Sequence, residues 1–202
     1  FAWKPPDASW YRTNRKGTRD TWYFSCRRVI IMKNKTLRLV MAALLAAMTC
    51  VATMVIKIPI TATGGYINLG DCIVLLSGIL LGPLYGGLAA GIGSALADLF
   101  SGYVAFAPAT FLIKGIMAVI VGAFVKDLTK KSIFKTVLSG GCAECLMIAG
   151  YFFFEAVFMG YGLGAAAAIP GNAIQGIVGL TLTTILIPVF RTCDLPLLRE
   201  EK

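Results

Sequence analysis

The chain of 202 residues contains no histidine, and only 14% of its residues are charged. Without histidine, the commonest metal ligand and general base are missing, which excludes haem ligation by His, His-containing zinc sites and Ser-His-Asp chemistry. Soluble domains run near 25% charged residues, so the second shortage argues against a water-soluble globule. Acidic residues are scarcer still, ten against nineteen Lys and Arg. Six cysteines are too few for a disulfide scaffold, and most sit in apolar stretches where they read as reduced thiols. What is abundant is apolar: 57% hydrophobic residues and a mean hydropathy of +0.78. These figures describe an all-α, polytopic membrane protein.

Residues 1–31 do not share this character. They carry seven Lys or Arg against two Asp, and all three tryptophans, with no period and no apolar stretch long enough for a signal peptide. Met32 opens a short basic start before a helix, MKNKTLRLVMAALLAAM. Residues 1–31 therefore read as an upstream extension or a disordered basic arm, and residues 32–202 as the membrane domain. Scattered charges of this kind are usually solvated, so the arm is not read as a nucleic-acid or lipid-binding element.

From Met32 onward, apolar segments alternate with Gly, Pro and charge clusters. Six spans are expected, at 37–59, 68–82, 84–100, 108–126, 133–158 and 168–190, the second and third divided by Gly82-Pro83. With six spans, Lys33, Lys35 and Arg38, then Lys126, Lys130, Lys131 and Lys135, then Arg191, Arg199 and Lys202 all fall on one side. The positive-inside rule makes that side, and both termini, cytoplasmic. Lys57 alone sits near the other face and reads as a snorkelling anchor.

Ionisable groups inside a bilayer are costly, so each is a functional candidate. Asn68 and Asp71 open span 2, Asp98 lies near the outer end of span 3, and Lys114 lies about two turns into span 4. Glu144, Tyr151 and Glu155 share one helical face of span 5, as Asn172 and Gln175 do on span 6. Except for Glu144, all fall in the outer half. They assemble into an outward-open pocket between spans 4, 5 and 6, lidded by loops 60–70 and 100–108 and suited to a small polar heterocycle. Plainer roles stay open: Asn68 or Asp71 as a cap of span 2, Asn172 as a cap of span 6 beside Pro170, Tyr151 as an interfacial residue, and Lys114 as a partner of Glu144 or Glu155. Cys142-Ala-Glu-Cys145 has CxxC spacing, but inside an apolar helix it reads as packing. Ala42/Ala46 and Ala43/Ala47 are overlapping AxxxA pairs on span 1, and Gly87/Gly91 is a GxxxG pair on span 3; such stripes let helices approach closely.

Gly65-Tyr-Ile-Asn-Leu-Gly-Asp71, Leu81-Gly-Pro-Leu-Tyr-Gly-Gly87, Gly93-Ser-Ala-Leu-Ala-Asp98, Ala107-Pro-Ala-Thr-Phe-Leu-Ile-Lys-Gly115 and Ile169-Pro-Gly-Asn-Ala-Ile-Gln-Gly176 together resemble the substrate-binding S components of energy-coupling factor (ECF) vitamin transporters, with the riboflavin/hydroxymethylpyrimidine-type subgroup nearest. The resemblance covers about 32–190. It implies six helices and a vitamin held near the outer face in the plasma membrane. It also implies docking of an AxxxA face of helix 1 on a transmembrane T component, and energy from two cytoplasmic ATPases. No GxxxxGK[ST] loop is present, in keeping with ATP hydrolysis by other chains. The pocket would be filled by a pyrimidine, a pyridoxine-like ring or a flavin, with no cofactor, no nucleic acid and no enzymatic reaction. The competing reading is a self-sufficient transporter coupled to protons through Glu144 and Glu155. Against it stand the lack of an inverted repeat and of a polar path through the inner half.

Overall fold

The computed structural model describes residues 35–60, 63–125 and 133–192, with side chains described as far as residue 189. Expectations for residues 1–31 and for Lys33, Lys126, Lys130, Lys131, Arg199 and Lys202 lie outside these residues, as does the side chain of Arg191. Among the described residues, five helices are long and apolar enough to cross a membrane.

The first, α1 (Lys35–Val55), buries Ala42, Leu45, Thr49, Cys50 and Thr53. These recur at helical spacing, so one narrow stripe faces the protein while Leu39, Val40, Leu44, Met48, Val51 and Val55 point outward, where only lipid satisfies them. The Thr49 hydroxyl donates to the Leu45 carbonyl at 2.8 Å, which is how a hydroxyl is carried inside an apolar helix.

A β-hairpin follows where the sequence suggests the end of span 1, expected to run to residue 59, and a loop at 60–70; the helix instead ends at Val55. Strands β1 (Lys57–Ile60) and β2 (Gly65–Asn68) pair antiparallel, with Lys57 opposite Asn68 and Ile60 opposite Gly65. An isolated two-stranded hairpin is marginal, and this one is tied down along its length. Lys57 Nζ donates to Ser101 Oγ at 2.7 Å, Tyr66 donates to Asp98, and the Asn68 N–H donates to Gln175. Lys57 is thus a clasp on the hairpin rather than a simple snorkelling anchor.

The expected spans 2 and 3 are one element, α2 (Asp71–Phe100), broken at Gly82, whose φ of 77° suits glycine and whose successor is Pro83. The break reverses the chain. A Cβ on Gly86 would lie 2.4 Å from the Ser77 carbonyl oxygen, residues that a straight helix would hold about 13 Å apart along its axis. Both legs then pack on α3 (Ala107–Phe124), with Pro108 in its first turn. Gly78 meets the Ala118 backbone, Gly91 meets Phe111, and Gly122 fits against Gly78 and Pro83.

The legs are unequal. Residues 71–81 rise about 16 Å from the break and residues 83–100 about 27 Å, so the start of the first leg lies roughly 10 Å deeper than the end of the second. Asp71 is correspondingly fully buried, at 0% exposure, below the level of the outer end where the sequence places the opening of span 2.

Helix α4 (Ile133–Phe153) passes into a π-helical turn, Phe154–Phe158, and a 3₁₀ segment, Gly162–Ala168, leads into α5 (Ile169–Thr192). Asn172 is therefore inside the first turn of α5, with a helical segment before it, and does not occupy the capping position considered for span 6. The core gathers Val74, Leu75, Leu76, Met117, Val121, Ala143, Met147 and Ile187 from four helices. Cys142 and Cys145 lie exposed on α4.

Candidate functional site: a polar pocket under the hairpin

The floor is an ion pair. Lys114 on α3, 1% exposed, donates through Nζ to Asp71 Oδ1. Its expected partners were Glu144 or Glu155; the short first leg of α2 brings Asp71 to it instead. Gln175 on α5 donates to Asp71 Oδ2 at 2.7 Å, and its own Oε1 accepts the Asn68 N–H at 2.7 Å. Asn68 Oδ1 accepts the Gly70 N–H at 2.8 Å, which closes the turn into α2. One network thus joins α2, α3, α5 and the hairpin. Lys114 also lies 5.6 Å from the Tyr151 ring centroid, and Tyr151 donates its hydroxyl to Thr110 at 3.1 Å.

Above this floor lies a pocket lined by Asn68, Asp98, Lys114, Tyr151, Glu155, Asn172 and Gln175, seven of the nine residues expected from sequence. The other two lie outside its lining. Asp71 is beneath it, and Glu144 lies deeper, against Gly176 of α5, within electrostatic reach of Asp71 and Lys114. Both Glu144 carboxylate oxygens are buried without a hydrogen-bond partner.

The pocket also recruits Thr53, Ile60, Gly65, Tyr66, Ser94, Phe106 and Thr110, none named individually from sequence, although Ile60, Gly65, Tyr66 and Phe106 lie in the two loops expected to lid it. Spacing could have found two: Ser94 lies four residues before Asp98 and Thr110 four before Lys114, each pair on one helical face. Tyr66 and Phe106 carry no such signal, because a hairpin and an interhelix turn place them. Tyr66 is outside the spans, and burial together with the Asp98 carboxylate pushes its phenol far above the ordinary range, so it stays a proton donor to Asp98.

Tyr66 and Phe106 line the pocket, and each touches further rings outside its lining. Tyr66 and Tyr103 centroids lie 4.6 Å apart, Phe106 and Phe154 5.5 Å, and Phe154 stacks on Phe158 at 5.7 Å. The open cavity is only about 20 Å³, roughly the room of one water, so anything ring-sized would need side chains to move.

The small-residue pairs on α1 separate. Ala42 and Ala46 face α2, where a Cβ on Gly93 would meet the Ala46 carbonyl oxygen at 2.3 Å. Ala43 and Ala47 are exposed. Ala47 borders a wholly apolar groove with Met48, Val51, Ile56, Leu69 and Ile73.

A family model described as "ECF-type riboflavin transporter, S component" matches residues 33–192. The chain belongs to this family. A curated relative from Pyrococcus woesei, described as an uncharacterized protein in gap 3'region, is 42% identical over 134 residues, 65% of this chain and 86% of the relative. As an S component, the chain is a multi-pass membrane protein and the substrate-binding subunit of a vitamin-uptake system, in a transporter family and not an enzyme family. The match covers every residue of the pocket and leaves residues 1–31 outside.

Proposed function

We propose that this S component captures a water-soluble vitamin or precursor with a flat, polar ring, a flavin first among them, in the pocket under the hairpin. Asn68, Asp98, Lys114, Tyr151, Glu155, Asn172 and Gln175 form the binding surface, with Asp71 and Glu144 supporting it from below. The observation that carries this reading is the pocket itself. Eleven polar or ionisable side chains converge on one cleft of an otherwise apolar bundle, beside the Tyr66 and Phe106 rings, which suit stacking on a heterocycle. The family's description, which names riboflavin, puts the flavin first.

In this reading the bundle lies in the plasma membrane with six membrane segments, the two legs of α2 counting separately, and both termini cytoplasmic. The expected basic clusters then share the inner face. Release to the cell depends on a transmembrane T component and two ATPases. The exposed Ala43/Ala47 pair, not the inward-facing Ala42/Ala46 pair, is the small-residue face offered to the T component, since small residues four apart allow close helix approach in lipid.

The test is mass spectrometry of the small molecules released when the detergent-purified protein is denatured. One vitamin at a stoichiometry near one supports the proposal. An empty protein that also gives no thermal shift with a vitamin panel returns the self-sufficient, proton-coupled transporter to first place.

A further inference from the structure

The connection between α4 and α5 is built against the usual pattern for a loop. Segments that join elements in water are rich in polar residues and run over the wet surface. Between Glu155 and Arg191 the sequence holds no Asp, Glu, Lys or Arg, and Glu155 itself is buried. What the connection turns outward is apolar: Leu163 is 88% exposed and Phe158 71%, with Val157 and Tyr161 exposed beside them. Its other face is seated on the bundle, where Ala165 and Ala168 are buried.

The outward rings are fixed in place. Phe158 stacks on Phe154 and meets Phe153 edge-on, with centroids 6.1 Å apart. The backbone supplies most of its own hydrogen bonds as well. Only Met159, Gly160 and Tyr161 lie between the π-helical turn and the 3₁₀ segment. The Met159 N–H donates to the Phe154 carbonyl and the Tyr161 N–H to the Glu155 carbonyl, both at 3.1 Å, and the Gly164 N–H donates to the Tyr161 carbonyl at 3.0 Å. Gly160 and Gly162 make the turn possible with φ of 76° and 54°. A backbone that leans so little on water suits a region where water is scarce.

Depth follows from length. Ile133–Phe153 rises about 31 Å, close to the thickness of a bilayer's hydrocarbon core, so the residues after it begin at the core's boundary. The apolar patch is also continuous with the lipid-facing sides of two spans. Exposed Phe153 leads into it from α4, and exposed Ile169, Ile174 and Ile177 carry it on along α5. Contiguous apolar surface of this kind on a multi-pass protein marks contact with the bilayer, and tyrosines such as Tyr161 concentrate at that level.

We propose that the α4–α5 connection, residues 154–168, lies within the membrane interface on the pocket's side of the bilayer, with Val157, Phe158 and Leu163 set among phospholipid acyl chains. The partner of this face is lipid, not water and not a second protein. The inference follows from the chain's place in a membrane-protein family and does not depend on the vitamin reading. It bears on the pocket all the same. The inner side of the same segment carries Glu155 into the pocket lining, and a Cβ on Gly64 of the hairpin turn would lie 3.7 Å from the Tyr161 hydroxyl. One wall of the pocket is thus mounted on an element seated in lipid.

The experiment puts a nitroxide label on Leu163→Cys, and separately on Val157→Cys, in the full-length protein reconstituted into phosphatidylcholine vesicles. The background carries Cys26→Ser, Cys142→Ser, Cys145→Ser and Cys193→Ser, while Cys50 and Cys72 are buried from the reagent. Collisions with dissolved oxygen, which concentrates in lipid, are compared with collisions with a water-soluble nickel chelate, and their ratio gives each label's depth. Both labels are expected about 5–10 Å inside the headgroup boundary. A label on Ile177→Cys, well inside α5, is the lipid-facing reference and should lie deeper. Labels at 157 and 163 that meet the chelate as freely as a label in water overturn the proposal. Labels shielded from both reagents overturn it too, because a protein surface then covers the face. Both side chains are exposed, so neither label displaces a core contact, and either variant decides the question if the other fails to fold. The depths are read on ligand-free protein, so the outcome is separate from whether a vitamin binds.

Discussion

At the floor of the pocket each carboxylate oxygen of Asp71 has a donor, Lys114 for one and Gln175 for the other, while on the wall Asp98 and Glu155 each keep an oxygen with none. Burial is comparable in the two places, so the difference is not one of solvent access. The floor spends its hydrogen bonds on joining three helices and the hairpin. The wall leaves acceptors unused, at a cost that a donor entering the pocket would relieve. The satisfied oxygens of Asp71 tie elements together, whereas the unsatisfied oxygens of Asp98 and Glu155 belong to residues that line the pocket.

Substitutions at the two places should therefore fail differently. The largest loss of stability is expected for Lys114→Met, which leaves Asp71 as an unpaired buried charge and should cost about 3–5 kcal/mol, seen as a large fall in the thermal midpoint of the detergent-solubilised protein. A midpoint close to wild type would show that the floor is not structural. Gly78→Ala should come next, at about 1–3 kcal/mol, because its Cβ would lie 2.2 Å from the Ala118 carbonyl oxygen and force α2 from α3. Gly141→Ala is its control: nothing lies within 4 Å, and stability should hold or rise slightly.

Gln175→Ala strands one Asp71 oxygen and the Asn68 N–H and should cost about 1–3 kcal/mol, with the hairpin amides exchanging hydrogen faster than in the wild type. Glu155→Gln, on the wall, should lower stability less than the floor variants, because Glu155 Oε2 has no hydrogen bond to lose, while changing vitamin affinity. The smallest effect on the isolated protein belongs to Ala47→Leu. Stability and vitamin affinity should match wild type, and only uptake by cells carrying the full transporter should drop. Lost binding in that variant would show that the exposed face of α1 is part of the pocket's support.

Much of this was legible from residue types alone. Lys114, Tyr151, Glu155, Asn172 and Gln175 stand out because a polar group in an apolar helix needs a reason, and period 3.6 puts those of one helix on a common face. What the sequence hid depends on chain reversal and on tertiary support. Gly82-Pro83 reads as a break, but nothing local states that the first leg has only eleven helical residues and carries Asp71 down to Lys114. The strands Lys57–Ile60 and Gly65–Asn68 are too short, and one too interrupted by Pro59, to announce a hairpin; contacts with Ser101, Asp98 and Gln175 stabilise it. The two AxxxA pairs are indistinguishable by composition, and packing against Gly93 is what separates them.

The account is tested most directly by titrating riboflavin into the ligand-free full-length protein and into Asn172→Ala, following flavin fluorescence. Asn172 lines the pocket from α5 without belonging to the floor network, so its loss should weaken binding and leave the thermal midpoint near wild type. Saturable one-to-one binding by the wild type, weakened at least about tenfold in the variant, is the predicted result. Binding of equal strength in both proteins would move the site away from the pocket under the hairpin.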